Sequence, residues 1–351
     1  VLISILETIG VDVKFKNHTV KIKAKKIKTK LPSELTSKLR GSLVLAGAIL
    51  ARCGKVSFFH PGGDVIGRRG FEVHLNGFKA LGASIIQEDL WYHLKYYSRK
   101  LNTQKCYIFL SIPSVTGTEN LILASCLGAG KVIIRNCAKE PHVVDLCNML
   151  LSMGAKISFI GTDTLVIERV QKLRGTKFKL GPDHIEVGTY AIAAAITGGK
   201  LRIEHIEGAD LDPIFIPLNL FGLDFEIDGD SVNFKAKELV GVEKIWSNFW
   251  PGFPTDLMSP TIVLATQARG ITLCHDWIYE SRMFFVDKLI TMGANITIAD
   301  PHRVLVYGPS NLKGRKVETP DIRAGMALVL AALVAEGETV IEKVELIERG
   351  Y

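Results

Sequence analysis

The chain has 351 residues, 47% of them apolar and 23% charged, with 43 Lys and Arg against 36 Asp and Glu. That composition excludes a disordered or collagen-like chain, and the length suits two domains of about 100–200 residues each. The longest apolar runs, such as residues 326–335, fall far short of the roughly 18–20 residues that span a bilayer. No basic-then-apolar leader opens the chain, so a cytoplasmic protein without membrane insertion is expected. The six cysteines (Cys53, Cys106, Cys126, Cys137, Cys147 and Cys274) form no CxxC pair. They read as reduced, mostly buried small hydrophobes. The histidines show no HExxH spacing, so neither a metal nor a cofactor is expected.

The positive charge sits at the start. Residues 1–40 hold nine Lys and Arg40 against Glu7, Asp12 and Glu34, and the other 311 residues are neutral. In VKFKNHTVKIKAKKIKTK, lysines alternate with Val, Phe, Ile and Ala. Period-2 alternation predicts a half-buried β-hairpin with solvated lysines on its outer face. Nucleic-acid binding needs a basic face with aromatic platforms or an inserted helix. Neither is present in this stretch, so no nucleic-acid partner is expected.

From there the chain repeats itself. A short amphipathic helix ending near a Gly and followed by a strand recurs as LETIGVDV, KALGASII, LLSMGAKI, LFGLDFEI and LITMGANI. The glycines are Gly10, Gly82, Gly154, Gly222 and Gly293, spaced 68–72 residues apart. A second phrase, apolar helix then Gly then strand, carries Gly54, Gly130, Gly199, Gly270 and Gly337 at 67–76 residues. Two phrases sharing one period predict repeated supersecondary units. The glycines suit positions just past a helix end with φ > 0. The first helix of each unit (SLVLAGAILA, NLILASCLGA, TYAIAAAITG, MSPTIVLATQ, GMALVLAALVA) is apolar nearly all round and should be buried. The second helix carries polar residues and should be exposed. The chain starts at the second helix of one unit and stops just after the strand of another. A longer parent with a further unit split between its ends is expected.

The loops that open the buried helices share one phase. Arg40, Thr118, Glu186, Asp256 and Arg323 recur at intervals of 67–78 residues, so each is expected at a buried helix N-terminus. Helix N-termini offer unpaired N–H groups and about half a positive charge, and several converging ends would form an anion site. Ser, Thr and Asp there also serve as ordinary N-caps. Arg40 and Arg323 are different. A cation at a positive helix end needs an anionic partner, either a structural carboxylate or a ligand phosphate. The loop HPGGDVIGRRG, residues 60–70, carries Asp64, Arg68 and Arg69 among four glycines. It reads either as a surface turn or as a lid closing on a phosphate.

Taken together, LRGSLVLAGAILAR, HPGGDVIGRRGFEVHLNGFKALGA, PSVTGTENLILA, PDHIEVGTYAIAAA, PGFPTDLMSP, YESRM, DIRAGMALVLA and IERGY resemble the enolpyruvyl transferase family along the whole chain. The resemblance implies an inside-out α/β barrel of two lobes built from βαβαββ units. The lobes would be residues 1–181, bearing the lid, and residues 182–351. It implies transfer of the enolpyruvyl group of phosphoenolpyruvate to the 3′-hydroxyl of UDP-N-acetylglucosamine, with release of phosphate. By resemblance Asp64 holds the proton donor's position, which most members fill with Cys and some with Asp. An Asp there must stay protonated until addition, which requires a raised pKa. Asp256 matches the carboxylate that serves as base. Arg40, Arg69 and Arg349 match the arginines around phosphoenolpyruvate, and Asp321 and Arg323 a second pair near the reacting centre. Ser114 and Val115 match the diphosphate loop. Arg69, Gly70, Phe71, Glu72, Val73 and Ile278 match positions lining the UDP-sugar. Glu186 matches a structural or sugar-side position. The family's Lys-Asn pair would lie before Val1, so these 351 residues alone are expected to be weakly active or inactive. A member with shikimate 3-phosphate as acceptor, and a non-catalytic UDP-sugar binder, are the alternatives.

Overall fold

Five apolar helices, each followed by a strand and, in the first four, then by a more polar helix, organise the computed structural model. It describes residues 1–63, 66–67, 70–96, 105–128, 130–207 and 210–351. Helix α1 (Leu2–Thr8) leads into the hairpin β1 (Asp12–Lys16) and β2 (Thr19–Lys23). Short α2 (Ser33–Thr36) and a 3-10 turn (Arg40–Val44) precede α3 (Leu45–Cys53), β3 (Lys55–Phe59), α4 (Glu72–Ala80), β4 (Ala83–Glu88) and β5 (Trp91–Tyr96). Next come β6 (Cys106–Phe109), α5 (Val115–Ser125), β7 (Lys131–Arg135), α6 (Pro141–Ser152), β8 (Lys156–Ser158) and β9 (Thr164–Glu168). The third run is α7 (His184–Ile196), β10 (Lys200–Glu204), α8 (Asp212–Asn219), β11 (Leu223–Asp228) and β12 (Ser231–Ala236). The fourth is β13 (Lys244–Trp246), a 3-10 turn (Thr255–Leu257), α9 (Met258–Gln267), β14 (Gly270–His275), α10 (Val286–Thr291), β15 (Asn295–Asp300) and β16 (Arg303–Gly308). The last is β17 (Lys316–Glu318), α11 (Ile322–Val334), β18 (Val340–Glu342) and a 3-10 turn (Val344–Arg349).

Two sheets show the whole repeat, in the orders β6-β7-β9-β8 and β13-β14-β16-β15. In each the first pair is parallel and the others antiparallel. A parallel pair needs a long crossover, which α5 and α9 supply. The strands read as the sequence pattern requires: in β7 and β9, Val132, Ile134, Leu165 and Ile167 are buried and their neighbours are not. Residues 258–266 of α9 are buried without interruption. That matches the all-round apolar pattern, since a helix with no polar stripe has no face to give to water.

The chain divides into two compact units. One comprises Val1–Gly63 and Gly70–Lys179; the other is Leu180–Tyr351, and Ile66 and Gly67 are counted with it. The first unit's core gathers Phe58, Phe78, Leu121 and Ile134. That of the second gathers Phe215, Phe221, Leu264 and Leu328. Among the described residues no helix is long and apolar enough to cross a membrane.

Three expectations need correction. The lysine hairpin forms, with Val13 opposite Ile22 and Lys14 opposite Lys21, but it is not half-buried. Phe15, Val20 and Ile22 are 63%, 49% and 57% exposed. Only seven-residue α1 precedes this two-stranded sheet, in place of the long apolar helix that each other sheet has before or within its run of strands. In the Thr-Gly-Gly turn after α7 the left-handed residue is Gly198, not Gly199. Thr118 lies inside α5, fully buried, and its Oγ1 accepts from the Ala138 N–H at 3.0 Å. It ties helix to loop and faces no solvent.

Candidate active site

In the second unit the Phe-Pro-Thr-Asp stretch turns sharply. Pro254 holds an extended backbone (φ −69°, ψ 135°), after which the 3-10 turn places Asp256 just ahead of α9. Asp256 Oδ1 accepts from Arg282 Nη2 at 2.9 Å, and Oδ2 accepts from Arg323 Nε at 2.9 Å. The Arg282 side chain is 2% exposed, Arg323 16% and Asp256 35%. Burial pushes the Asp256 carboxyl up, but the Arg323 and Arg282 guanidiniums outweigh it and hold it at about 2. The same pairing keeps both arginines above their ordinary value against the opposite pull of burial.

Arg323 sits in the first turn of α11, where the helix end is positive. Its required anion is the structural carboxylate of Asp256. Asp321 is the N-cap: its Oδ1 accepts from the Arg323 and Ala324 N–H groups at 2.9 and 3.0 Å. The Arg323 guanidinium also lies 5.1 Å over the Tyr351 ring. The Tyr351 hydroxyl is 3.0 Å from Thr189 Oγ1. Arg349 ends the last 3-10 turn and is exposed. Ile278 is half-buried, and its N–H donates to Asp276 Oδ1 at 3.0 Å. Glu186 lies in the first turn of α7 and its N–H is capped by Asp183 at 3.2 Å.

In the first unit, Arg40 Nη2 donates to the Gly70 carbonyl at 2.9 Å. Gly70 permits a close approach, since a Cβ there would stand 2.0 Å from Glu72 Oε2. Buried Phe71 is the residue before α4 and packs edge-on to Tyr92, ring centroids 5.0 Å apart. Glu72 is exposed in the first helical turn, where a carboxylate complements the dipole. Val73 reaches the opening turn of α5: a Cβ built on Gly117 would meet Val73 Cγ1 and Ser114 Oγ, each at 3.0 Å. Ser114 is the N-cap there, accepting from the Gly117 N–H at 3.1 Å, and Val115 is the first helical residue. The structure thus draws Arg40, Gly70, Phe71, Glu72, Val73, Ser114 and Val115 into linked neighbours. It likewise joins Asp256, Asp321 and Arg323 in the second unit. Asp64 and Arg69 lie outside the described residues.

Four residues escaped the sequence reading. Buried His74 and Asn120 lock the first group together. Asn120 Nδ2 donates to His74 Nδ1 at 2.9 Å and to the Leu43 carbonyl at 2.8 Å, and its Oδ1 accepts from the Gly47 N–H at 2.6 Å. His74 Nε2 stands 3.3 Å from Thr116 Oγ1. Burial, and then the charge of Arg40, lower His74 to about 3, so it is neutral here. In the second unit Arg282 had a signal, as the cation of YESRM. Asp276 had none beyond being an acid after a strand.

Chemically, the second-unit group is an ionised carboxylate shared by two arginines. It can take a proton, and the arginines can bind an anion. Elsewhere in that unit a groove of about 580 Å³ runs between α8 and β13, beside Ile216, Leu220 and Trp246. None of the residues singled out above lines it.

The family described as EPSP synthase (3-phosphoshikimate 1-carboxyvinyltransferase) matches residues 2–351. A UDP-N-acetylglucosamine 1-carboxyvinyltransferase of Treponema denticola is 43% identical over all of this chain and 84% of its own length. One from Borrelia garinii subsp. bavariensis is 46% identical over all of this chain and 83% of its length. Among solved structures, the enolpyruvyl transferase NikO of Streptomyces tendae matches with a TM-score of 0.87 at 24% identity, covering 99% of this chain and 82% of its own. An EPSP synthase of Acinetobacter baumannii matches with a TM-score of 0.69 at 17% identity, over 99% and 84%.

Proposed function

This chain belongs to the enolpyruvyl transferase family, and from that premise we propose that it transfers the enolpyruvyl group of phosphoenolpyruvate to the 3′-hydroxyl of UDP-N-acetylglucosamine, releasing phosphate. The choice of acceptor rests on the relatives. Those named for the UDP-sugar reaction share 43–46% of residues over the whole chain, whereas the matched EPSP synthase shares 17%. The reaction belongs to peptidoglycan synthesis, and the chain acts in the cytoplasm, where both substrates are made.

The observation that carries the chemistry is Asp256, ionised and split between Arg282 and Arg323. Four events are needed: a proton must reach the vinyl carbon, a base must take the hydroxyl proton as that oxygen bonds to the carbon bearing the phosphate, a proton must then leave the new methyl group as the C–O bond to phosphate breaks, and cations must hold the phosphate and carboxylate throughout. Asp64 donates the first proton. Asp256 takes the second. At about 2 its pKa keeps it ionised but makes it a feeble base. An anionic substrate that draws on Arg282 or Arg323 withdraws part of that stabilisation, so Asp256 gains basicity as the substrate binds. Arg40, Arg69 and Arg349 bind the phosphate and carboxylate of phosphoenolpyruvate, and Asp321 and Arg323 serve the reacting centre. Ser114 and Val115 offer helix N–H groups to the diphosphate. Gly70, Phe71, Glu72, Val73 and Ile278 line the sugar nucleotide.

The test is phosphate release by the full chain. Release is expected with phosphoenolpyruvate and UDP-N-acetylglucosamine together and with neither alone. Release that requires shikimate 3-phosphate instead would overturn the acceptor assignment. Binding of the UDP-sugar with no release under any condition would overturn the catalytic reading.

A further inference from the structure

Asp276 has no exposed surface and makes more polar contacts than a surface turn needs. It follows β14, and its backbone is held on both sides by His302. Its N–H donates to the His302 carbonyl at 2.9 Å, and its own carbonyl accepts from His302 Nδ1 at 2.7 Å. Its side chain then joins the turn before α9 to the stretch that follows Asp276 itself. Oδ2 accepts from the hydroxyl of Thr255, the residue before Asp256. Oδ1 accepts from the N–H groups of Ile278 and Tyr279 at 3.0 and 3.3 Å. Oδ2 also lies 3.9 Å from Arg282 Nε, a buried nitrogen without a hydrogen-bond partner of its own.

Buried carboxylates are costly unless paired and hydrogen-bonded, so this one is retained for what it holds. Asp256 and Asp276 face Arg282 together, but they differ. Asp256 is partly exposed and in contact with Arg323, so a bound anion competes with it for the guanidinium. Asp276 is buried and fixed by three donors, so nothing displaces it. We propose that Asp276 is a positioning residue for the transfer reaction: a fixed counter-anion that keeps Arg282 and the Thr255–Asp256 turn in place while Asp256 changes partners. This rests on the function proposed above.

Asp276→Asn keeps an oxygen for the two loop N–H groups but removes the charge that faces Arg282. It should lower kcat about 10- to 100-fold, as expected for a misaligned base, with KM for the UDP-sugar within about threefold. The melting temperature should stay close to that of the unaltered protein. A kcat within twofold of the unaltered protein would overturn the proposal. So would a loss of rate that only tracks a loss of folded protein. A second readout does not need turnover. Asp276→Ala, which removes every contact, should speed amide hydrogen exchange in residues 254–257 and 277–282 together. Faster exchange confined to 277–282, or in neither segment, would show that Asp276 does not join them. If the unaltered protein releases no phosphate, the functional reading fails, and the exchange result still decides the role of Asp276.

Discussion

Asp256 must satisfy two opposing requirements: it has to be ionised to act as a base, yet basic enough to take a proton. The two guanidiniums secure the first at the expense of the second. Asp256→Asn keeps the shape and loses the proton acceptor. Turnover should fall at least about 100-fold, while calorimetry shows the UDP-sugar affinity changed only a few-fold. Residue 64 allows a test by chemistry instead of rate. The family's inhibitor fosfomycin alkylates a donor cysteine, and a carboxylate is a poor nucleophile beside a thiolate. Mass spectrometry should find no adduct on Asp64 after fosfomycin treatment, and turnover should persist. At this scale the sequence was legible where a motif carried the chemistry. Asp256 and Arg323 share one phase of the repeat, and the rule that a cation at a positive helix end needs an anion called for a partner to Arg323 without deciding between a structural carboxylate and a ligand phosphate. Asp276 and His74 were not legible. Their value comes from burial beside residues distant in sequence, such as Thr255 and Asn120, and no local pattern records that.

Elements hold these groups in place through close contact. In α3, Gly47 lies against α5: a Cβ there would sit 2.2 Å from the Asn120 carbonyl oxygen, which is backbone and cannot swing away. Gly47→Ala should therefore cost about 1–3 kcal/mol in a denaturant titration. Gly199→Ala is the control. The nearest atom to its Cβ is 3.4 Å away, a side-chain oxygen, and the change should stay within about 0.5 kcal/mol. Helices and strands were legible because their periods differ, 3.6 against 2, and because glycines such as Gly54 mark the helix ends with φ > 0. The hairpin itself followed from alternation alone. Its exposure did not, since alternation says which residues share a face and not whether anything packs on it. Thr118 was misplaced for a similar reason. A spacing of about 70 residues locates a helix start to within a turn, and a turn decides whether a hydroxyl faces solvent or the interior.

At the scale of the whole molecule, net charge is a poor guide and buried charge a better one. The +7 resides in the first 40 residues, mostly on exposed lysines of the hairpin and of the stretch that follows it, where it has little leverage on stability. Buried His74 and half-buried Glu119 of the first unit have more. His74 is lowered to about 3, chiefly by burial. Below about 6.5 the unfolded chain protonates this residue and the folded one does not, so stability falls as pH drops from 6.5 towards 3. Glu119 is raised to about 7, by burial and then by Glu140. The folded chain keeps its proton where the unfolded one has lost it, so that contribution is full below about 4.5 and is lost as pH rises through 7. Each group changes stability by about 1.4 kcal/mol per pH unit inside its window, with opposite sign. Between pH 4.5 and 6.5 the two nearly cancel, and the raised carboxyl of Glu140 adds to the Glu119 side. Glu119→Gln removes one arm of the balance. The first unit should then become more stable on going from pH 4.5 to 6.5, by up to about 2–3 kcal/mol, or roughly 5–10 °C in melting temperature. The unaltered protein should be flat or fall slightly over the same interval. Thermal melts of both at the two pH values decide it. Parallel curves would mean that Glu119 gives up its proton in the fold at its ordinary pH, and that the Glu119–Glu140 pair is better solvated than its burial implies.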